Sequence, residues 1–386
     1  MSQASLSLLI SIATILILIR RFHVSVAVLA GALVLGILTL GLNCFSVMFS
    51  TLTSLQTLKF LIIITLAFTL AYSMKESGAL DEITRSSLSL FGKASVFVIP
   101  AMIGLLPMPG GAIVSAVMLR DIVNKFKISP EKATFLNYWF RHVWACLDPI
   151  YPSVIITLAI LEISYSTLLK STYPITLAMI AFGLPFASFE RSNNSRDLKG
   201  LLYLTPILIV MVLTVLGVDL TLSLTVAILL LYIFRRPKLR EVFRKALNLK
   251  IYLLIIALLY YKDLIMKTGS SHELLKDLTS LGIPQPVTAT ILSFILGFAT
   301  GIESGYAAMA IPLLSSFTGM GEKIVAKNLM LVVGAGILGV MFSPLHLCLI
   351  LTREYYSANL EKVYTRYLIP AGLLTLLSLF LAYIAL

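Results

Sequence analysis

Three short stretches hold most of the residue types able to do chemistry: "NYWFRHVWACLDPIYPS" (137–153), "TGIESG" (300–305) and "GLLPMPGGA" (104–112). At about 100° per residue, Asn137, Arg141, Trp144 and Asp148 fall within about 60° of one helix face. They are expected to look into one cavity. Arg141 is permanently charged and offers a planar fork that matches a carboxylate or phosphate, which makes it the leading candidate for contact with an anionic substrate. Its alternative role is a structural ion pair with Asp148 or Glu303, although roughly 10 Å of helix separates Arg141 from Asp148. Asp148 precedes Pro149, and a residue before proline is biased out of the helix. The chain is therefore expected to unwind between Cys146 and Ser153, with freed carbonyls suited to a cation. His142 points about 100° away from Arg141 and reads as a packing histidine.

Glu303 lies between Gly301 and Gly305, with the hydroxyls of Thr300 and Ser304 nearby. A carboxylate among hydroxyls and loose carbonyls is chemistry for a coupling Na⁺, or for a proton. In "GLLPMPGGA", Pro107 and Pro109 cannot donate backbone hydrogen bonds, while Gly110 and Gly111 allow a tight reversal and close approach of a ligand. The following helix start then presents free amides and a positive pole to an anion.

The elements that position these residues follow from composition. The 386 residues are 59% hydrophobic and 12% charged, against roughly 25% charged in soluble domains, so the chain reads as an integral membrane protein. Ten apolar runs are expected to cross the bilayer: 4–19, 24–42, 56–74, 132–161, 171–189, 200–217, 219–234, 250–266, 328–352 and 367–386. The first lacks a basic lead and a cleavage site and reads as a retained span. Treating 94–120 and 286–316 as re-entrant hairpins places 22 of the 30 Lys and Arg on one side and seven on the other, with Arg141 inside a span. By the positive-inside rule both termini lie outside a cytoplasmic membrane. "RRPKLREVFRKALNLK" (235–250) is then a topology signal in contact with anionic lipid, not a nucleic-acid site. Cys44, Cys146 and Cys348 show no ligand-like spacing.

This threading gives two halves of one grammar: three spans, a hairpin, a long interrupted span and a last span. Five crossings per half invert the second half relative to the first. The expected fold is an all-α polytopic membrane protein, ten transmembrane helices plus two re-entrant hairpins in two inverted repeats, 1–189 and 200–386, joined by a cytoplasmic loop at 190–199. "KESGA" (75–79) precedes the first hairpin as "KTGSS" (267–271) precedes the second; Asn137 opens the first interrupted span and Asn328 the second. Paired interruptions in corresponding positions point to a carrier's binding site. Gly334, Gly336 and Gly339 suit close helix packing, and Ser343, Pro344 and His346 mark the second break.

"GLLPMPGGA", with two hairpins and ten spans, resembles an uncharacterised prokaryotic, largely archaeal, family of integral membrane proteins in the ion transporter superfamily. Its relatives include sodium-coupled dicarboxylate carriers and gluconate permeases. The resemblance implies a homodimeric inverted-repeat carrier working as an elevator, with substrate and coupling ion at hairpin tips and interrupted helices. By position these are Pro107 to Gly111 (with Pro109, Gly110 and Gly111 at the tip), Asn137, Thr300 to Gly305 (with Gly301, Glu303 and Ser304) and Asn328. The Ser-Asn-Thr signatures of the dicarboxylate carriers are missing from both tips, so that specificity is not carried over.

The function expected is secondary active transport of a small, carboxylate-type organic anion coupled to Na⁺ or H⁺. Arg141, Asp148, Asn137, Asn328, Ser304 and the first hairpin tip would hold substrate; Thr300, Gly301, Glu303, Ser304 and Asp148 would hold the ion. No cofactor beyond that ion is implied. A carrier of a cation or amine, with Asp148 and Glu303 as ligands, is the alternative. An intramembrane enzyme is the weaker one, because neither a nucleophile–base spacing nor a paired-ligand zinc motif occurs and no phosphate-binding loop is present.

Overall fold

In hydrocarbon every backbone N–H and C=O must find its partner within the segment, and helices achieve this. The computed structural model describes residues 1–18, 21–107, 111–187, 198–280, 282–320 and 323–385. It is 84% helix, with no strand among the described residues.

The first part of the chain runs through α1 (Gln3–Leu18), α2 (Val24–Leu40), α3 (Cys44–Leu52), α4 (Leu55–Glu76) and α5 (Ala79–Phe91). Two short helices, α6 (Ser95–Gly104) and α7 (Gly111–Met118), then pack on each other as a hairpin whose tip carries Pro107. After α8 (Arg120–Lys125) comes α9 (Pro130–Arg141), ten residues of turns, α10 (Pro152–Leu161) and α11 (Tyr165–Gly183).

The second part consists of α12 (Thr205–Val215), α13 (Leu220–Arg235), α14 (Leu239–Ala246), α15 (Leu249–Thr268) and α16 (Ser270–Ser280). A second hairpin follows, α17 (Gln285–Thr300) and α18 (Glu303–Leu313), then α19 (Ser315–Thr318), α20 (Ala326–Phe342), a short break, α21 (Leu347–Tyr356), α22 (Leu360–Val363) and α23 (Ile369–Ala385). All ten apolar runs expected to span are helical over most of their length.

Six stretches among the described residues are long and apolar enough to cross a membrane: Val24–Leu52, Leu55–Glu76, Ala79–Gly104, Tyr165–Phe186, Ala326–Tyr356 and Leu360–Ala385. These mark a membrane-embedded protein. The bent pair α16 and α17, at 119°, makes a seventh if taken as one crossing. The shortfall from ten has physical reasons. Breaks leave α10 with ten residues, and α15, twenty residues long, carries Lys250, Lys262, Asp263 and Lys267.

The core forms where the two parts interleave, α2 on α15, α10 on α18 and α9 on α21, and where α17 packs on α20 within the second part. At that last contact a Cβ on Gly339 would overlap the Phe294 carbonyl and one on Gly297 the Gly336 carbonyl, so the glycines bring two backbones together as their spacing predicts.

Polar contacts between loops sort into two sets. One joins Lys245 to Glu76 (2.5 Å), Gly200 N–H to Ser86 (2.8 Å) and Asn359 N–H to Glu131 (3.4 Å). The other joins Lys59 to Asp219 (2.7 Å), Lys262 to Glu162 (2.9 Å), Thr51 to Asp263 (2.5 Å) and Ser2 N–H to Asp277 (2.8 Å). The first set lies in or beside the segments that the charge count groups together, and the second lies among those on the opposite face.

Candidate functional site

Helix α9 begins cleanly because Ser129 accepts a hydrogen bond from the Lys132 amide (3.3 Å) and Pro130 occupies the first turn, a favoured start. It then carries Asn137 and Arg141 against the first hairpin. The Arg141 guanidinium is buried; Nη1 donates to the Ile103 carbonyl (3.2 Å) and Nη2 reaches the Leu106 carbonyl (3.5 Å). These carbonyls close α6, whose C-terminal end is a negative pole. On the other flank is Gly111, the first residue of α7, where an added Cβ would lie 2.6 Å from the guanidinium carbon. Glycine lets the hairpin close on the arginine.

The ion pair weighed for Arg141 does not form: among the described residues neither Asp148 nor Glu303 makes a salt bridge to it, and its Nε is buried with no partner. Pro109 and Gly110, expected beside it, lie outside the described residues. Asn137 donates to the Ala112 carbonyl and to Thr352 (both 3.0 Å), and its Oδ1 has no partner. It lies well inside α9 instead of opening it.

The break after α9 starts at His142, earlier than the sequence suggests, because side chains replace the helical bonds. Thr176 donates to the Val143 carbonyl (2.7 Å), Ser153 to Ala145 (2.9 Å) and Tyr165 to Leu147 (2.5 Å). Within the stretch expected to offer carbonyls to a cation, 146–153, the Leu147 carbonyl is thus already used. Asp148 is fully buried; Oδ1 accepts from the Ile150 amide (3.1 Å) and Oδ2 has no partner. Trp144 Nε1 donates to the Ala101 carbonyl (2.9 Å), fastening the break to the first hairpin.

On the second hairpin Gly301, with φ of +61°, ends α17, a left-handed cap that glycine tolerates best. Thr300 turns back to the carbonyls of Gly297 (3.1 Å) and Ile302 (3.4 Å). Glu303 opens α18 with Ser304 beside it, half-buried. One Glu303 oxygen, Oε1, has no hydrogen bond and lies 3.6 Å from His142 Nε2.

His142 in turn meets His346, Nε2 to Nε2 at 3.1 Å. Cys348 completes the group, its ligand atom and those of both histidines lying within 4.8 Å of one another. Sequence reasoning read His142 as a packing histidine and His346 only as a mark of the second break. The available signal was that, of four histidines, these two occupy the two interrupted spans.

Asn328 is not in this group. It donates to the Phe317 carbonyl (2.6 Å) near the start of α20, about 21 Å along that helix from Phe342. The structure thus forms one cluster at Arg141 and Gly111, another at His142, Glu303 and His346, and places Asp148 in the break between α9 and α10.

None of the curated proteins matches the chain. A family model described as "Protein of unknown function (DUF401)" matches residues 2–386, and the chain belongs to that family.

Proposed function

We propose that the chain is a secondary active carrier of a small organic anion, of carboxylate type, coupled to Na⁺ or H⁺. The observation that carries this reading is Arg141: a buried guanidinium against Gly111 at a hairpin tip, held by carbonyls and without a carboxylate partner among the described residues. A buried guanidinium with no carboxylate in salt-bridge contact favours an anion that supplies one. The positive end of α7 acts in the same direction. Asn137 lies beside it, anchored to the Ala112 carbonyl.

Asp148 is assigned to coupling, since its buried Oδ2 is an acceptor with no donor. The reading takes the chain as ten crossings and two re-entrant hairpins in inverted repeats, with both termini outside the cytoplasmic membrane and a homodimer moving as an elevator. It is supported by the element order, in which α1, α2, α4, the hairpin, the broken helix and α11 are matched by α12, α13, α15, the second hairpin, the second broken helix and α23. The two sets of loop contacts fit the same threading. On this reading the protein is a carrier and not an enzyme.

A cation or amine carrier is the second reading, favoured by the unpartnered oxygens of Asp148 and Glu303. The deciding experiment is the melting temperature of purified protein with mono-, di- and hydroxycarboxylates and with amines, with and without Na⁺. A ligand at 100 times its Kd adds about 2.7 kcal/mol. Stabilisation by an anion in the wild type and not in Arg141→Gln supports the first reading; stabilisation by amines alone overturns it.

A further inference from the structure

We propose that His142, His346 and Cys348, with the Glu303 carboxylate beside them, form a binding site for a divalent d-block cation of the Zn²⁺ type. Hydrogen bonding to the backbone fixes both rings. His142 Nδ1 donates to the Tyr138 carbonyl (2.6 Å) and His346 Nδ1 to the Gly301 carbonyl (2.8 Å); a carbonyl only accepts, so each Nδ1 carries the proton. Both Nε2 atoms then present lone pairs, and they face each other at 3.1 Å. Two lone pairs at that distance repel unless a metal ion or a shared proton lies between them. A ring nitrogen held by a carbonyl is also the outer-shell arrangement that metal-ligating histidines use.

The spacing of the two ring nitrogens suits the ion. With Zn–N near 2.0–2.1 Å, the N···N edge of a tetrahedron is about 3.3 Å. The two Nε2 atoms are 3.1 Å apart and Glu303 Oε1, which has no hydrogen-bond partner, is 3.6 Å from one of them. The Cys348 sulfur lies within 4.8 Å of both ring nitrogens and interacts with the His142 ring. Two neutral imidazoles, a thiolate and a carboxylate around a divalent cation sum to zero, the charge least opposed by a low-dielectric interior. Imidazole and thiolate together select zinc or a neighbouring transition metal over Mg²⁺ or Ca²⁺.

The ligands come from the break after α9, the tip of the second hairpin and the break after α20. The ion therefore ties both interrupted helices to one hairpin, independently of which substrate the carrier moves.

The test uses full-length protein in detergent, stripped with a chelator and titrated with Co²⁺. The expected result is one Co²⁺ per chain with strong visible bands of tetrahedral geometry, a near-ultraviolet thiolate charge-transfer band, and displacement of both by Zn²⁺. Cys348→Ser should lose the charge-transfer band and keep visible absorption; Cys44→Ser should keep both. Failure of the wild type to retain Co²⁺ overturns the site, as does a charge-transfer band that survives Cys348→Ser. His346→Gln should retain no Co²⁺; should that variant fail to fold, the wild-type stoichiometry and the Cys348→Ser spectrum decide the matter. Anion binding is not read, so this outcome and that of the carrier reading are separable.

Discussion

His142 and His346 touch through their Nε2 atoms although 204 residues separate them in the chain. Each lies where a long helix is interrupted, so this one contact places the two interruptions side by side in the interior. The second hairpin joins them through the Gly301 carbonyl, which accepts from His346. Backbone leaves the helix at membrane depth only where protein or a polar cavity receives it, and the two breaks and the hairpin tip receive one another.

Replacing Arg141 tests whether shape or charge matters at the first hairpin. Arg141→Lys keeps the charge and loses the fork that reaches both Ile103 and Leu106. Anion affinity, read by melting temperature against ligand concentration, is expected to fall tenfold or more in both Arg141→Lys and Arg141→Gln; tenfold is about 1.4 kcal/mol. An unchanged affinity in either variant would remove the arginine from the substrate site.

Gly111→Ala introduces a methyl where the guanidinium lies. Overpacking of this kind destabilises by about 1–3 kcal/mol. A lower melting temperature together with loss of anion-dependent stabilisation is expected, because the hairpin and arginine can no longer close together. A fully wild-type response would show that the hairpin tip does not meet Arg141.

Asp148→Asn removes a charge without changing shape. Anion binding should persist while its dependence on Na⁺ or on pH disappears, measured as melting temperature across Na⁺ concentrations and at two pH values. Retained dependence would move coupling to another group.

At the C-terminal end of α10, the Lys262 ammonium, which bonds Glu162 at 2.9 Å, holds that carboxyl below the usual carboxylate range, more than burial raises it. A carboxyl with a lowered folded pKa contributes stability above its unfolded value and loses it as pH falls through the folded one. Wild type should therefore melt above Glu162→Gln at neutral pH, by no more than about 1 kcal/mol for a carboxyl that is more than half exposed. The gap should close as the pH is lowered through the acidic range. A gap that widens with acid would contradict the pairing.

Topology can be read by maleimide labelling of single introduced cysteines against the wild-type background, in which Cys44 and Cys146 are buried. Val218→Cys is expected to label in intact cells, and Arg240→Cys only after permeabilisation. The reverse pattern would invert the threading and place both termini inside.

Much of this molecule follows from local sequence. Apolar runs give helices because hydrocarbon offers the backbone no other partner. Pro149 and Pro152 interrupt one long helix and Pro344 another, because proline lacks an N–H and biases the residue before it. Gly336 and Gly339 announce close packing. That Arg141 and Gly111 meet at the first hairpin was foreshadowed by residue type, which states what each can bind or permit.

Tertiary structure decided what those interruptions do. Thr176 and Tyr165 take the Val143 and Leu147 carbonyls of the first break, and no spacing within residues 137–153 reveals donors that arrive from elsewhere in the fold. Asn137 and Asn328 look equivalent in sequence, yet one meets Thr352 across the core and the other holds the Phe317 carbonyl. The pairing of His142 with His346 depends on how the two halves dock. Periodicity reports neighbours within about a turn of helix, whereas a contact across 204 residues is set by the packing of whole helices.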